Sequence, residues 1–158
     1  MANTQAICDS FRVDILNGTH AFGAQGANGT RTITTKDVFK VALYLATAVV
    51  NRSTTAYSVT NEVSGTNYTA GGATITNATA PANTGGTGII AFWTPSGSFA
   101  WTAVTLATAF DCALIYNSSN TALASVAVFT FGSQTVTAGN FTLTMPTNDL
   151  TSGLIRLS

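Results

Sequence analysis

Residues 131–146, FGSQTVTAGNFTLTMP, carry no charged side chain, and Phe141, Leu143 and Met145 alternate with Thr142 and Thr144. A period of two puts the apolar residues on one face of a β-strand, whereas an amphipathic helix needs them three and four apart. Val136 leads into Ala138, Gly139 and Asn140, residues that favour a tight turn, so the stretch predicts a β-hairpin with one apolar face. With neither acid, base nor nucleophile in it, this most regular part of the chain points to packing and assembly.

The same habit recurs along the chain. In residues 37–50, DVFKVALYLATAVV, Phe39, Val41, Leu43 and Leu45 alternate with Lys40, Ala42, Tyr44 and Ala46, which predicts a long, largely buried strand. Weak strands are expected near residues 56–60 and 73–78, within loop-rich sequence full of Gly and Asn turn signals. GIIAFW and SFAWTAVTL flank a turn marked by Pro95 and Gly97. FDCALIY follows, then an NSSN turn, then ALASVAVFTF, where Val126 and Val128 oppose Ala127, Phe129 and Phe131. Both faces of that strand are apolar, so it is either central or its outer face, over residues 122–131, meets a neighbour. GLIRL at residues 153–157 reads as an edge strand guarded by Arg156. About eight to ten short strands between regular turn signals indicate an all-β fold, an antiparallel β-sandwich of Ig-like or jelly-roll type.

Only the amino end departs from period two. Ile7, Phe11 and Ile15 are spaced by four, with Cys8 and Leu16 beside them, and Gly18 stands where a C-cap belongs. A short helix from Thr4, as N-cap, to Asn17 is expected. The chain then divides into a helical arm, residues 1–22, and one β domain, residues 23–158, and the length of 158 residues suits a single core. The helix stripe either packs on the chain's own sheet or docks on another subunit.

Charged residues make up 8% of the chain, against about 25% in ordinary soluble domains. The six basic residues are scattered and the formal net charge is +0, so no patch exists for nucleic acid, and copies of the chain repel one another weakly. The first twenty residues hold Asp9, Arg12 and Asp14, which interrupt any signal-peptide core, and no uncharged apolar run is long enough for a membrane span. Folding in the cytoplasm is therefore expected. Cys8 and Cys112 read as free buried thiols, with a disulfide as the alternative.

Catalytic chemistry finds little material. His20 is the one histidine, beside Phe22, and no G-x-S-x-G accompanies it. The six acids, Asp9, Asp14, Asp37, Glu62, Asp111 and Asp149, are dispersed, and one His with two distant Cys makes no zinc set. GAQGANGT at residues 23–30 lacks the strand before and the helix after that a phosphate loop needs. No catalytic residue, metal or cofactor is implied. Trp93 and Trp101 flank the TPSGSFA turn; aromatic rings on sandwich loops stack on sugars, so a glycan-binding role stands against packing in the core, with Tyr57 and Tyr68 as lesser candidates.

DSFRVDILNGTHAFG, VFKVALYLATA, TNEVSGTNYTAGGATIT, FDCALIYNSSNTALASVAVFTFGSQTVTAGNFTLTMP and GLIRL together resemble a family of tailed-bacteriophage virion structural proteins, over nearly the whole chain. The resemblance implies a particle component, made in the host cytoplasm and resident in the virion, with no catalytic residues to carry over. A small, neutral, Thr-rich β domain with an apolar amino-terminal segment suits a capsid decoration, or cement, protein. Its expected partners are the major capsid protein and further copies of itself, for example in a trimer. Ile7, Phe11 and Ile15, with Val126 and Val128, are the expected anchors. The alternative is a tail-fibre or head-fibre module that binds host glycans through Trp93, Trp101 and the 60–88 loops.

Overall fold

The structure is a computed structural model that describes residues 2–23, 25–28, 31–33, 35–75, 81–83, 90–95 and 97–157. In chain order its elements are β1 (Ala6–Ile7), α1 (Asp9–Asn17), β2 (Gln25–Asn28), β3 (Arg31–Ile33), β4 (Phe39–Leu45), β5 (Ala73–Thr74), β6 (Ala82–Asn83), β7 (Ala91–Trp93), β8 (Phe99–Asn117), β9 (Ser125–Leu143) and β10 (Ile155–Leu157). The fold is all-β with one short amino-terminal helix, and every strand pairing is antiparallel. A five-stranded sheet has the order β1-β9-β8-β4-β5, a three-stranded one the order β10-β7-β6, and β2 and β3 form a separate pair.

The large sheet is buried on both faces because both of its residue sets are apolar. On one face Val41 aligns with Ile115 and Ala127, and Leu43 with Ala113 and Phe129. On the other, Ala42 aligns with Leu114 and Val128, and Tyr44 with Cys112 and Thr130. The first face is covered by the amino-terminal segment and the small sheet: Phe22 stacks on Phe39 at 4.4 Å between ring centroids, and Trp93 of β7 lies 6.0 Å from Phe39. The second is covered by the 56–72 segment, where Tyr57 stacks on Tyr116 at 4.5 Å. Each fully buried Val, Leu, Ile or Phe in these layers contributes about 1.5–3 kcal/mol. Among the described residues the architecture therefore rests on one large sheet with a cover on each side.

Several expected boundaries move. The 37–50 strand stops at Leu45, because the Ala48 amide bonds back to the Leu45 carbonyl and turns the chain. Residues 56–60 form only an isolated bridge, Ala56 to Ala124; the second weak strand is Ala73–Thr74, and its expected continuation past residue 75 lies outside the described residues, as do residues 88 and 89 of GIIAFW. SFAWTAVTL and FDCALIY are one strand of 19 residues, β8, and ALASVAVFTF runs on into the expected hairpin as β9, also 19 residues.

The 131–146 hairpin is thus corrected to a bend in a continuous ribbon. Ala138 does adopt a turn-like φ of 46°, but so does Ala103 of β8, at 51°, on the other side of the Val104–Gly139 pair. Each sits at a register shift, Ala103 between Trp101 and Val104 on β8 and Ala138 between Val136 and Gly139 on β9, so both strands bend and neither reverses. Their freed amides are met within the ribbon: the Ala138 amide donates to Thr105 Oγ1 at 3.1 Å, and the Ala103 amide to Asn140 Oδ1 at 3.0 Å.

The helix begins at Asp9, not at Thr4. Thr4 is held in an extended strap by its amide bond to the Val50 carbonyl, Ala6 and Ile7 pair with β9, and the first helical amide, from Asp9, is satisfied by the Arg52 carbonyl at 2.8 Å. Gly18 caps the other end at φ 68°, as its position predicts. Residues 2–22 are consequently sewn into the β domain and form no separate arm. β10 is an edge strand carrying Arg156, as expected.

Candidate functional site

The expected anchor residues divide sharply. Val126 and Val128 are 0% exposed and Phe11 is 1% exposed, so all three belong to the chain's own core and offer no surface to a partner. Central position in the sheet, one of the two readings open from the sequence, accounts for both valines. Ile15 packs half-buried against the same core, and Ile7 sits in β1, off the helix stripe where the spacing had placed it. The helix instead has a second apolar ridge: Leu16 is 88% exposed and Val13 58% exposed, three residues apart on its outer side. Sequence reasoning placed Leu16 beside the inward stripe; five residues on from Phe11 it lies about 140° round the helix, and faces outward.

An apolar cavity of about 200 Å³ adjoins this helix, lined among others by Phe11, Ile15, Phe92, Trp93, Ile155 and Leu157. Among the described residues it is the place where α1, β7 and β10 meet around apolar side chains. The two tryptophans proposed for sugar stacking are packed away: Trp93 lies edge-on to Phe22, and Trp101 lies among Tyr68, Phe99 and Phe141. With 3% and 7% exposure their ring faces are closed to a glycan, because aromatic neighbours already occupy them.

The titratable groups form two structural clusters. All four tyrosines of the chain gather around the buried Glu62. Tyr57 and Tyr68 donate their hydroxyls to its carboxylate at 2.6 and 2.9 Å, and the Gly71 amide donates at 2.8 Å. Tyr116 donates to the Gly71 carbonyl at 2.9 Å and Tyr44 to the Ser58 carbonyl. Gly72, at φ 71°, lies so close to β4 that a Cβ would collide with the Val41 carbonyl. Burial holds all four phenols protonated, pushing Tyr116 up to about 12 and the other three higher, with Glu62 acting in the same direction. The cluster clamps the 56–72 segment onto the sheet. Nothing local in the sequence marks it, since the tyrosines come from four different segments.

The second cluster surrounds His20, whose side chain is fully buried. Asn117 Nδ2 lies 3.1 Å from His20 Nδ1 and donates to Asp37 at 2.7 Å, while Asp14 stands 3.6 Å from Nε2. An amide donor at Nδ1 assigns the ring proton to Nε2, the neutral tautomer that faces Asp14. Burial lowers the His20 pKa, against the pull of Asp14 and Asp37. No serine or cysteine is a partner of the ring among the described residues, and Phe11, Phe22 and Phe39 crowd it.

The remaining acids have similarly local work. Asp9 forms a two-bond pair with Arg52, Asp111 accepts from Asn3, and Asp149 caps the Thr151 and Ser152 amides. Cys8 and Cys112 are free and buried, with both thiols pushed up to about 12, chiefly by burial. No group of His, Cys, Asp or Glu among the described residues is arranged to hold a metal ion, and no helix there is long and apolar enough to cross a membrane. Comparison with known proteins finds no match to a family model, to a curated protein or to a solved structure.

Proposed function

We propose that the chain is a structural protein of a phage particle, a capsid decoration protein that binds the major capsid protein lattice as a homo-oligomer, and that it performs no catalysis. One observation carries the docking: α1 buries Phe11 and Ile15 against its own sheet and still presents Val13 and Leu16 to solvent beside an apolar cavity. A nine-residue helix with two apolar sides, its outer ridge of Val13 and Leu16 flanked by Arg12 and Asp14, suits contact with a second protein. The anchors on this reading are Val13 and Leu16, replacing Phe11, Val126 and Val128. The sequence resemblance to virion structural proteins supplies the identity of the partner.

Mass-spectrometric quantification of purified particles tests it. A molar ratio to the major capsid protein near unity, or a simple fraction of it, is expected; a ratio of a few per cent moves the chain to a tail or fibre, and absence from particles refutes the virion assignment.

A further inference from the structure

β9 has one edge paired with β8 from end to end, through several register shifts, and the other only begun. On the side away from β8, β1 pairs with Ala127 and Val128. The chain preceding β1 then leaves that edge, because Asn3 is drawn across to Leu45, Val50 and Asp111: its amide nitrogen donates to the Leu45 carbonyl at 3.0 Å and to Asp111 at 2.6 Å, and its oxygen accepts from the Val50 amide at 2.9 Å. Among the described residues no strand pairs with residues 129–143 on that side.

Edge strands in natural proteins are ordinarily guarded by charge, by proline, by brevity or by bulges. β9 lacks the first three, being 19 residues long with no charged residue and no proline, and its register shifts against β8 curve the edge, so a partner strand must share that curvature. Its exposed stretch, residues 132–135 with 137 and 138, is Gly, Ser, Gln, Thr, Thr and Ala, all small or uncharged polar. Between Glu62 and Asp149 the chain holds one charged residue, Asp111.

We propose that this edge is a self-association surface: β9 pairs with β9 of a second copy, antiparallel across a two-fold axis. A two-fold axis sets the strand against its own sequence reversed, so any charge near the axis would face its like on a neighbouring residue. A charge-free strand is the kind that can pair with itself without repulsion, whereas a dissimilar partner would be selected by charge complementarity, of which this edge shows none. Thr residues opposed across the new pairing add about 0.2–1 kcal/mol each, and the formal net charge of +0 leaves no long-range repulsion between copies.

Sedimentation across a concentration series of the full chain tests this, using the wild type, Thr135→Lys, Thr135→Glu and an equimolar mixture of the two variants, with Thr137→Lys and Thr137→Glu as a second set. The wild type is expected to be a dimer, each variant alone roughly tenfold weaker because like charges are opposed across strands, and the mixture a dimer again. Recovery on mixing separates lost pairing from lost folding. A wild type that stays monomeric, or variants that associate as the wild type does, overturns the inference. Its failure is distinguishable from that of the capsid assignment: dimers absent from particles remove the capsid assignment and leave the pairing, whereas particle-bound monomers remove the pairing, and the homo-oligomer with it, and leave the capsid binding.

Discussion

The rings of Phe131 and Phe141 lie 5.6 Å apart, although the two residues are ten positions apart on the same strand. A straight strand would place them roughly 33 Å apart at about 3.3 Å per residue. β9 must therefore bend back, carrying β8 with it, and the bend is cemented by Phe110 and Trp101 of β8, at 5.0 and 5.8 Å from Phe141. Register shifts between β8 and β9, at Trp101 to Val104 and again at Leu106 to Phe110, supply the extra residues that such curvature consumes.

Phe141→Ala is expected to destabilise the chain by roughly 2–4 kcal/mol, the ordinary cost of truncating a packed aromatic that is partly exposed. Ala138→Val should also destabilise, since a β-branched residue tolerates a φ of 46° worse than alanine, while Ala138→Gly should be neutral or stabilising by up to about 1 kcal/mol. Urea unfolding of the three variants checks this. Equal stability of the Val and Gly variants would show that residue 138 is not where the ribbon bends.

The Glu62 cluster predicts a strong effect from a nearly isosteric change. Glu62→Gln removes the charge that strengthens the bonds from Tyr57 and Tyr68 and puts a donor nitrogen where one of these hydroxyls now donates, which should cost about 1–3 kcal/mol. Tyr68→Phe removes a donor to Glu62 and an acceptor of the Leu43 amide together, and should cost a similar amount. A double-mutant cycle should show coupling between the two positions. Additive effects would mean that the carboxylate and the phenol act separately.

Alkali should unfold the chain cooperatively. The folded pKa of Tyr116 stands near 12 against an ordinary 10.0, and those of Cys8 and Cys112 near 12 against 9.0. A group whose folded pKa is raised contributes stability fully below its ordinary value and loses it as pH climbs toward the folded value, at up to about 1.4 kcal/mol per pH unit per group. Stability should thus fall from about pH 9 upward, and phenolate absorbance should appear together with unfolding. Phenolate formed while the fold persists would contradict the buried tyrosine cluster.

How much of this was legible beforehand depends on whether a feature is local. The alternation in Phe39 to Leu45 and the Gly18 cap were readable, because period two and the left-handed glycine are written in neighbouring residues. Ala138, Gly139 and Asn140 were read as a chain reversal because turn propensity does not distinguish a hairpin from a bend; the difference lies in Ala103, on the other strand. Likewise Thr4 looks like a cap until Val50 and β9 claim the residues after it. The convergence of Tyr44, Tyr57, Tyr68 and Tyr116 on one carboxylate involves no periodicity at all, and so leaves no local trace.

Acid acts through His20. Its folded pKa is lowered from 6.5 by burial, with Asp14, Asp37 and Asn117 as the polar groups around it. Below pH 6.5 the unfolded chain binds a proton that the folded chain refuses, so stability is complete above that value and declines as pH falls through it. His20→Gln should flatten the pH dependence between pH 5 and 7 while lowering stability at neutral pH. An unchanged slope in the variant would assign the acid sensitivity to the carboxylates.

The helix ridge yields the test that separates docking from folding. Leu16 is 88% exposed, so Leu16→Asp removes almost no buried area, and a surface change of this kind ordinarily alters stability by less than about 0.5 kcal/mol. Phe11, five residues back and on the inner side of the helix, is buried among His20 and Phe22, and Phe11→Ala should cost about 3–5 kcal/mol. If α1 docks through its outer side, Leu16→Asp and Val13→Asp abolish co-sedimentation with purified capsids at unchanged melting temperature, because each places an unpaired carboxylate in an apolar contact. Phe11→Ala would reduce co-sedimentation only as far as it reduces the folded fraction. Capsid binding by a folded Leu16→Asp, Val13→Asp double variant at wild-type strength would remove the helix from the interface, and with it the observation on which the decoration assignment rests.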